Sequence, residues 1–280
     1  MTIKQAIIIN AMPRTGSNIL WNIIGSAHNV AMTKHEFHGA LNITNSRILR
    51  LSMRACTYAP TLPLFQKTIL SHIEHSRQCA IHENTQLQNK RNIDTNACDT
   101  ICFKVMGGDA IFNQIIANAF ENVKFIFLTR NNAGICDSYY RRNYTIKEAV
   151  RDFNRPLSFM QKTANKFPDD HLWVRYEDLM QDVEGQTEWL FKTLKLNMPE
   201  NKRFLYKAKN FGKGAETSSE EAHEKILITL PELQKQLISK SPDQYLKNIP
   251  SEYWNVFNAR TQTKHKKSVT PQNKRSKKVK

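Results

Sequence analysis

Residues Gln5–Leu20 read QAIIINAMPRTGSNIL, and this stretch divides into three parts. Gln5–Asn10 is a short β-branched run, the pattern of a strand buried on both faces of a parallel sheet. Met12–Asn18 is a loop of Pro, Arg, Thr and Gly. From Asn18 to Ala27 the apolar residues Ile19, Leu20, Ile23 and Ile24 recur at helical spacing. The unit is strand–loop–helix. In such sheets ligands bind beyond the carboxyl ends of strands. A helix N-terminus placed there offers backbone N–H groups and a positive dipole end to an anion. Gly16 permits close backbone approach, Ser17 and Asn18 can cap the helix or donate to an oxygen, and Arg14 brings a forked cation. The loop is not the phosphate loop of an ATPase: no Gly stands five residues before Gly16, and no Lys follows it.

The same alternation returns further along. Thr100–Met106 (TICFKVM) and Val123–Thr129 (VKFIFLT) read as strands, and His171–Val174 as a shorter one. Ala110–Phe120, Ala133–Arg142 and Ile146–Phe167 read as helices, the last as one or two pieces. Tyr176–Leu196 reads as two helices. Ser219–Ser239 reads as one charged amphipathic helix with Pro231 inside it. Leu41–Ala55 and Leu64–His75 have helical spacing, Pro60 and Pro63 break between them, and Gln86–Asp99 is an Asn-rich surface loop. Strands alternating with helices predict an α/β fold with a central parallel sheet flanked by helices on both faces.

Composition narrows the function. The 280 residues carry 41 Lys+Arg against 25 Asp+Glu, a net charge of +16. That excess excludes an acidic solvating protein and leaves nucleic acid, anionic membrane or small polyanions as partners. Residues 261–280 hold eight of the basic residues and no acid; subtracting them from +16 leaves +8 on residues 1–260. The expected organisation is one domain over residues 1–260 and a disordered basic tail over 261–280. Cys56, Cys79, Cys98, Cys102 and Cys136 are odd in number and form no CxxC pair, so neither a disulfide framework nor a zinc site is expected. No apolar run is long enough for a membrane span. The reading is a soluble, cytoplasmic protein.

Three segments together resemble one family. Ala11–Leu20 (AMPRTGSNIL) is similar to the phosphosulfate-binding loop of PAPS-dependent sulfotransferases, most of all the bacterial carbohydrate enzymes of nodulation-factor and trehalose type. Asn18 departs from the hydroxyl residue usual in that loop. Val123–Arg142 (VKFIFLTRNNAGICDSYYRR) resembles the family's second signature, a strand ending in Arg with a helical Ser eight residues later. His171–Leu179 (HLWVRYEDL) resembles a third. The resemblance implies a three-layer, P-loop-like fold. It also implies that Arg14, Thr15, Gly16, Ser17, Asn18, Arg130, Ser138 and Tyr176 hold the donor PAPS or its product PAP. In that scheme Arg130 and Ser138 grip the 3′-phosphate and Tyr176 lies near the adenine. A strand-end Arg and an early helical Ser do project towards one crevice, where they supply charge-assisted donors to a dianion.

Sulfuryl transfer to a hydroxyl needs a base, in-line positioning and charge stabilisation on the leaving oxygen. Arg14 is placed for the last role, and Lys104 on the strand Cys102–Met106 is a second candidate. In Met32–His38 (MTKHEFH), Glu36 is the first choice of base, as the trehalose-type enzymes imply; His35 is the second, and His38 also flanks it. The acceptor class implied by the resemblance is a hydroxyl of a carbohydrate or glycolipid. Donor charge can be met by Arg14, Arg130 and backbone N–H groups, so no metal is expected. Two other classes compete. A phosphotransferase of related fold would show a Lys-Ser/Thr pair, which is missing, and a metal-binding Asp, for which only Asp109 offers itself. A nucleic-acid or polyanion binder using the tail would interleave aromatics with the basic residues, and none follows Phe257.

Overall fold

The computed structural model describes residues 3–32, 98–106, 110–207, 225–237, 240–247 and 249–252, with isolated positions at 63, 67, 70, 71, 74 and 255. Glu36, His35, His38, Asp109, the Gly107-Gly108 turn and the tail 261–280 lie outside these residues.

The run expected to be buried on both faces is the central strand. β1 (Gln5–Ala11) sits between β3 (Thr100–Met106) and β4 (Asn122–Thr129), with β2 (Val30–Met32) and β5 (His171–Arg175) at the two edges. All four pairings are parallel. Period-2 geometry splits β1 between two layers. Ile7, Ile9 and Ala11 face one apolar layer, while Ala6 and Ile8 face the other. β4 divides likewise: Ile126 and Leu128 go one way, Phe125 and Phe127 the other. Every one of these side chains is fully buried, and each Ile, Leu and Phe among them contributes about 1.5–3 kcal/mol of transfer free energy.

Helices cover both faces. α1 (Ser17–Ile24), α5 (Tyr176–Gln181) and α6 (Val183–Leu194) supply Leu20, Leu179 and Leu190 to the first layer. α2 (Ala110–Ala117) and α4 (Ile146–Lys166) supply Ile116 and Met160 to the second. α3 (Asn132–Tyr140) follows β4 directly. α4 is one helix, opened by a capping box in which Thr145 and Glu148 satisfy each other's backbone.

One sequence expectation fails. Within Ser219–Ser239, Lys225–Thr229 is a strand, β7, paired antiparallel with β6 (Arg203–Lys207). The helix α7 begins only at Leu230 and ends at Gln236. β-Branched KILIT has a partner strand to bond with, and Pro231 sits in the first turn of α7, where its missing N–H costs nothing. A last short helix, α8 (Pro242–Leu246), is capped by Ser241.

Among the described residues no helix is long and apolar enough to cross a membrane.

Candidate functional site

β1 and β4 run in parallel with Ala11 beside Leu128, so both strands finish at the same edge of the sheet. The loops that follow them are therefore neighbours, and each carries an arginine. Arg14 has a left-handed backbone, φ 71°, and Gly16 another, φ 87°. A non-glycine residue in that region is uncommon and is kept only where its surroundings hold it. Here the turn aims the Arg14 carbonyl at Arg130, whose Nη1 donates to it at 2.9 Å. Thr15, fully buried, donates its hydroxyl proton to the Met12 carbonyl at 2.7 Å and closes the loop from within.

Gly16 is the N-cap of α1, and no side chain caps this helix end. A Cβ on Gly16 would stand 2.5 Å from Cδ2 and Cε2 of Tyr176. The position therefore demands glycine twice, for its backbone angle and for the ring packed on it. Tyr176, expected beside an adenine, is placed against this loop, and its ring also lies 4.4 Å from the Arg130 guanidinium. Ser17 is buried at the start of α1.

Ser138 lies within α3, buried, and its Oγ accepts from Arg14 Nε at 2.7 Å. Arg14 links the strand-end Arg to the helical Ser eight residues on: its Nε donates to Ser138 Oγ, and its carbonyl accepts from Arg130 Nη1. Asn131 fixes the turn between them: its backbone N–H and Nδ2 donate to Glu177, and its Oδ1 accepts from Gly134 N–H. Arg130 Nε is buried and has no partner among the described residues.

Lys104 does not reach solvent. Odd and even residues of β3 face opposite layers, so Lys104 shares the face of Cys102 and points at α1. Only 2% of it is exposed. Its Nζ donates to Asn18 Oδ1 and lies 4.9 Å from the Trp21 ring, while Trp21 Nε1 donates to the Cys102 carbonyl. Asn18, the departure from the usual hydroxyl, thus holds the buried amine.

Burial, and then the neighbouring Arg142, Arg130 and Arg141 guanidinia, lower the Arg14 pKa. Neither Arg14 nor Arg130 is paired with a carboxylate among the described residues. Arg141 is paired with Asp137, but Arg14 and Arg130, without a carboxylate partner among the described residues and beside an uncapped helix start, form a site for an anion. No group of three or more His, Cys, Asp or Glu is arranged for a metal among the described residues.

Sequence reasoning missed Asn131, Gly134 and Tyr245. Asn131 carried a signal: an Asn between a strand and a following helix is a favoured N-cap. Gly134 and Tyr245 carried none.

The sulfotransferase-family model matches residues 6–200 of the chain. No curated protein matches the sequence. Among solved structures, the sulfotransferase domain from the curacin biosynthetic pathway is similar over 94% of this chain and 99% of its own, at TM-score 0.51 and 14% identity. The sulfotransferase domain of the Synechococcus PCC 7002 olefin synthase is similar over 94% and 95%, at TM-score 0.50 and 14% identity. At that identity the two structures bear on the fold.

Proposed function

The chain belongs to the sulfotransferase family, and we propose that its donor is PAPS and its acceptor a hydroxyl of a carbohydrate or glycolipid. The observation that supports the donor best is the pair of arginines without carboxylate partners, Arg14 and Arg130, joined through the Arg14 carbonyl. PAPS carries anionic groups on the 5′ and 3′ oxygens of its ribose, and two neighbouring loops each present a guanidinium. The buried Nε of Arg130, without a partner among the described residues, fits a phosphate oxygen, since guanidinium is a donor only.

In this reading Arg130 and Ser138 hold the 3′-phosphate. Gly16, Ser17 and Asn18, with Thr15 closing the turn, hold the loop against the phosphosulfate, and Tyr176 packs beside it. Glu36 takes the proton of the acceptor hydroxyl, with His35 as second choice. The acceptor oxygen then forms a bond to sulfur as the bond from sulfur to the phosphate oxygen breaks, and the leaving oxygen keeps the electron pair. Arg14 stabilises that developing charge, and Lys104 assists from the adjacent strand. No metal is needed, because guanidinium, ammonium and backbone N–H groups meet the donor's charge. Residues 1–260 form the catalytic domain, and 261–280 a basic tail. Buried free thiols at Cys98, Cys102 and Cys136 suit a reducing, cytoplasmic setting.

The test is formation of 3′,5′-ADP from PAPS with a panel of sugars and glycolipids, in the wild type and in Arg14→Met. Acceptor-dependent release that Arg14→Met lowers by roughly 10²-fold supports the reading. Release independent of both the acceptor and Arg14 contradicts it. Glu36→Gln should keep nucleotide binding and lower turnover by roughly 10²–10⁴. Unchanged turnover moves the base to His35 or His38.

A further inference from the structure

We propose that Tyr245 is a further binding residue of the donor site: its hydroxyl fixes the Arg130 fork and donates its own proton to the anionic oxygen that the fork holds. This rests on the reading of Arg130 as a phosphate ligand. Tyr245 lies on α8, beyond the residues 6–200 that the family shares.

The geometry begins with α8. Ile249 and Leu246 pack against Ile135, Cys136 and Tyr139 of α3, so the last described helix is docked beside the strand-end loop. Ser241 caps its first turn, and Pro242 presets the backbone there. Tyr245 is thereby carried inward and is 6% exposed. Its ring centre stands 5.1 Å from the Arg130 guanidinium, and that of Tyr176 stands 4.4 Å from it. The guanidinium contacts two phenol rings, each a cation–π partner.

The hydrogen bonds then assign direction. Arg130 Nη2 and Tyr245 Oη are 2.7 Å apart. A guanidinium only donates, so the phenol oxygen accepts and keeps its proton. That proton has no acceptor among the described residues. Ser138 repeats the arrangement: its oxygen accepts from Arg14 Nε and its proton stays available. Arg130 Nε, on the same guanidinium as Nη2, is itself buried without a partner among the described residues. Buried donors without acceptors are costly. One anionic group at the Nε–Nη2 edge would accept from both Nε and the Tyr245 hydroxyl, and a 3′-phosphate has the oxygens to do so. Gly134 leaves that edge open, for a Cβ there would stand 2.6 Å from Nε and 2.9 Å from Nη2.

The test compares the Kd of 3′,5′-ADP and of 5′-AMP, by calorimetry, in the full-length wild type and in Tyr245→Phe. Phe keeps the ring on Arg130 and removes only the hydroxyl. The Kd of 3′,5′-ADP should rise about tenfold, the scale of one hydrogen bond to a charged group. That of 5′-AMP should stay within twofold. Equal weakening of both ligands would reduce Tyr245 to a packing residue, and an unchanged 3′,5′-ADP affinity would remove its role; either overturns the proposal. If Tyr245→Phe gives no cooperative melt, Tyr245→Met fills the same space and is read by the same two outcomes. Failure of the underlying reading looks different: the wild type itself would bind both nucleotides alike, and the Tyr245 assignment would fall with it.

Discussion

Arg14 Nε donates to Ser138 Oγ at 2.7 Å, a bond that spans 124 residues of sequence. It joins the loop after the central strand to the helix after its neighbour, and so sets the distance between the two arginines. Removing the acceptor in Ser138→Ala should free Arg14 and also delete a donor to the bound nucleotide. The affinity for 3′,5′-ADP should fall roughly tenfold, read by calorimetry. An unaltered affinity would show that Arg14 needs no such anchor.

The two glycines of the site should separate stability from binding. Gly16→Ala places a Cβ at φ 87° and 2.5 Å from the Tyr176 ring, so it should destabilise the fold by about 1–3 kcal/mol, seen as a lower melting temperature. Gly134→Ala lies inside α3, where alanine is the better helix former. The three atoms nearest its Cβ all belong to the Arg130 side chain, with Nε at 2.6 Å. The melting temperature should hold or rise, while 3′,5′-ADP binding weakens severalfold. The reverse pattern would mean that Arg130 is not the ligand.

Lys104→Met tests whether the buried amine serves chemistry or packing. Methionine matches the stem of lysine in shape and removes the cost of burying a charge. Stability should be unchanged or higher, and turnover should fall by roughly 10²-fold, the scale of one charge-stabilising group. Loss of stability with normal turnover would make the Lys104–Asn18 contact structural.

The site was partly legible in the sequence, for local reasons. An unbroken β-branched run named β1, and Thr100–Met106 is a strand over the expected residues, because a parallel strand buried on both faces leaves such a run. Arg130 and Ser138 were singled out by their resemblance to the family's second signature, and their phosphate-binding role belongs to the proposed function. The β6–β7 hairpin was not found. Its pairing is nonlocal, and the charged residues around Lys225–Thr229 mimic a helical period until Arg203–Lys207 supplies a partner. Tyr245 was invisible for the same reason: PDQYL is an ordinary polar turn, and its meaning comes from Arg130, 115 residues earlier. The run MTKHEFH, with the candidate bases, lies almost entirely outside the described residues, so its placement rests on resemblance alone.

Thiol chemistry checks the core independently. Cys98, Cys102 and Cys136 are buried, and burial pushes the Cys102 and Cys136 thiols well above the ordinary range. A thiol held protonated and out of solvent is inert to disulfide reagents. The folded protein should therefore titrate at most two of its five cysteines with an aromatic disulfide reagent, and all five after denaturation. Rapid reaction of three or more in the folded state would contradict the packing of β3 and α3.

The most direct measurement is the thermal shift of the wild type with 3′,5′-ADP against 5′-AMP at equal concentration. A ligand that binds only the folded state raises the melting temperature by mass action, about 2.7 kcal/mol of stabilisation at a hundred times Kd. If Arg130 and Ser138 hold a 3′-phosphate, 3′,5′-ADP stabilises the protein strongly and 5′-AMP does so weakly. Equal shifts, or no shift with either nucleotide, would contradict a PAPS site built on Arg14 and Arg130.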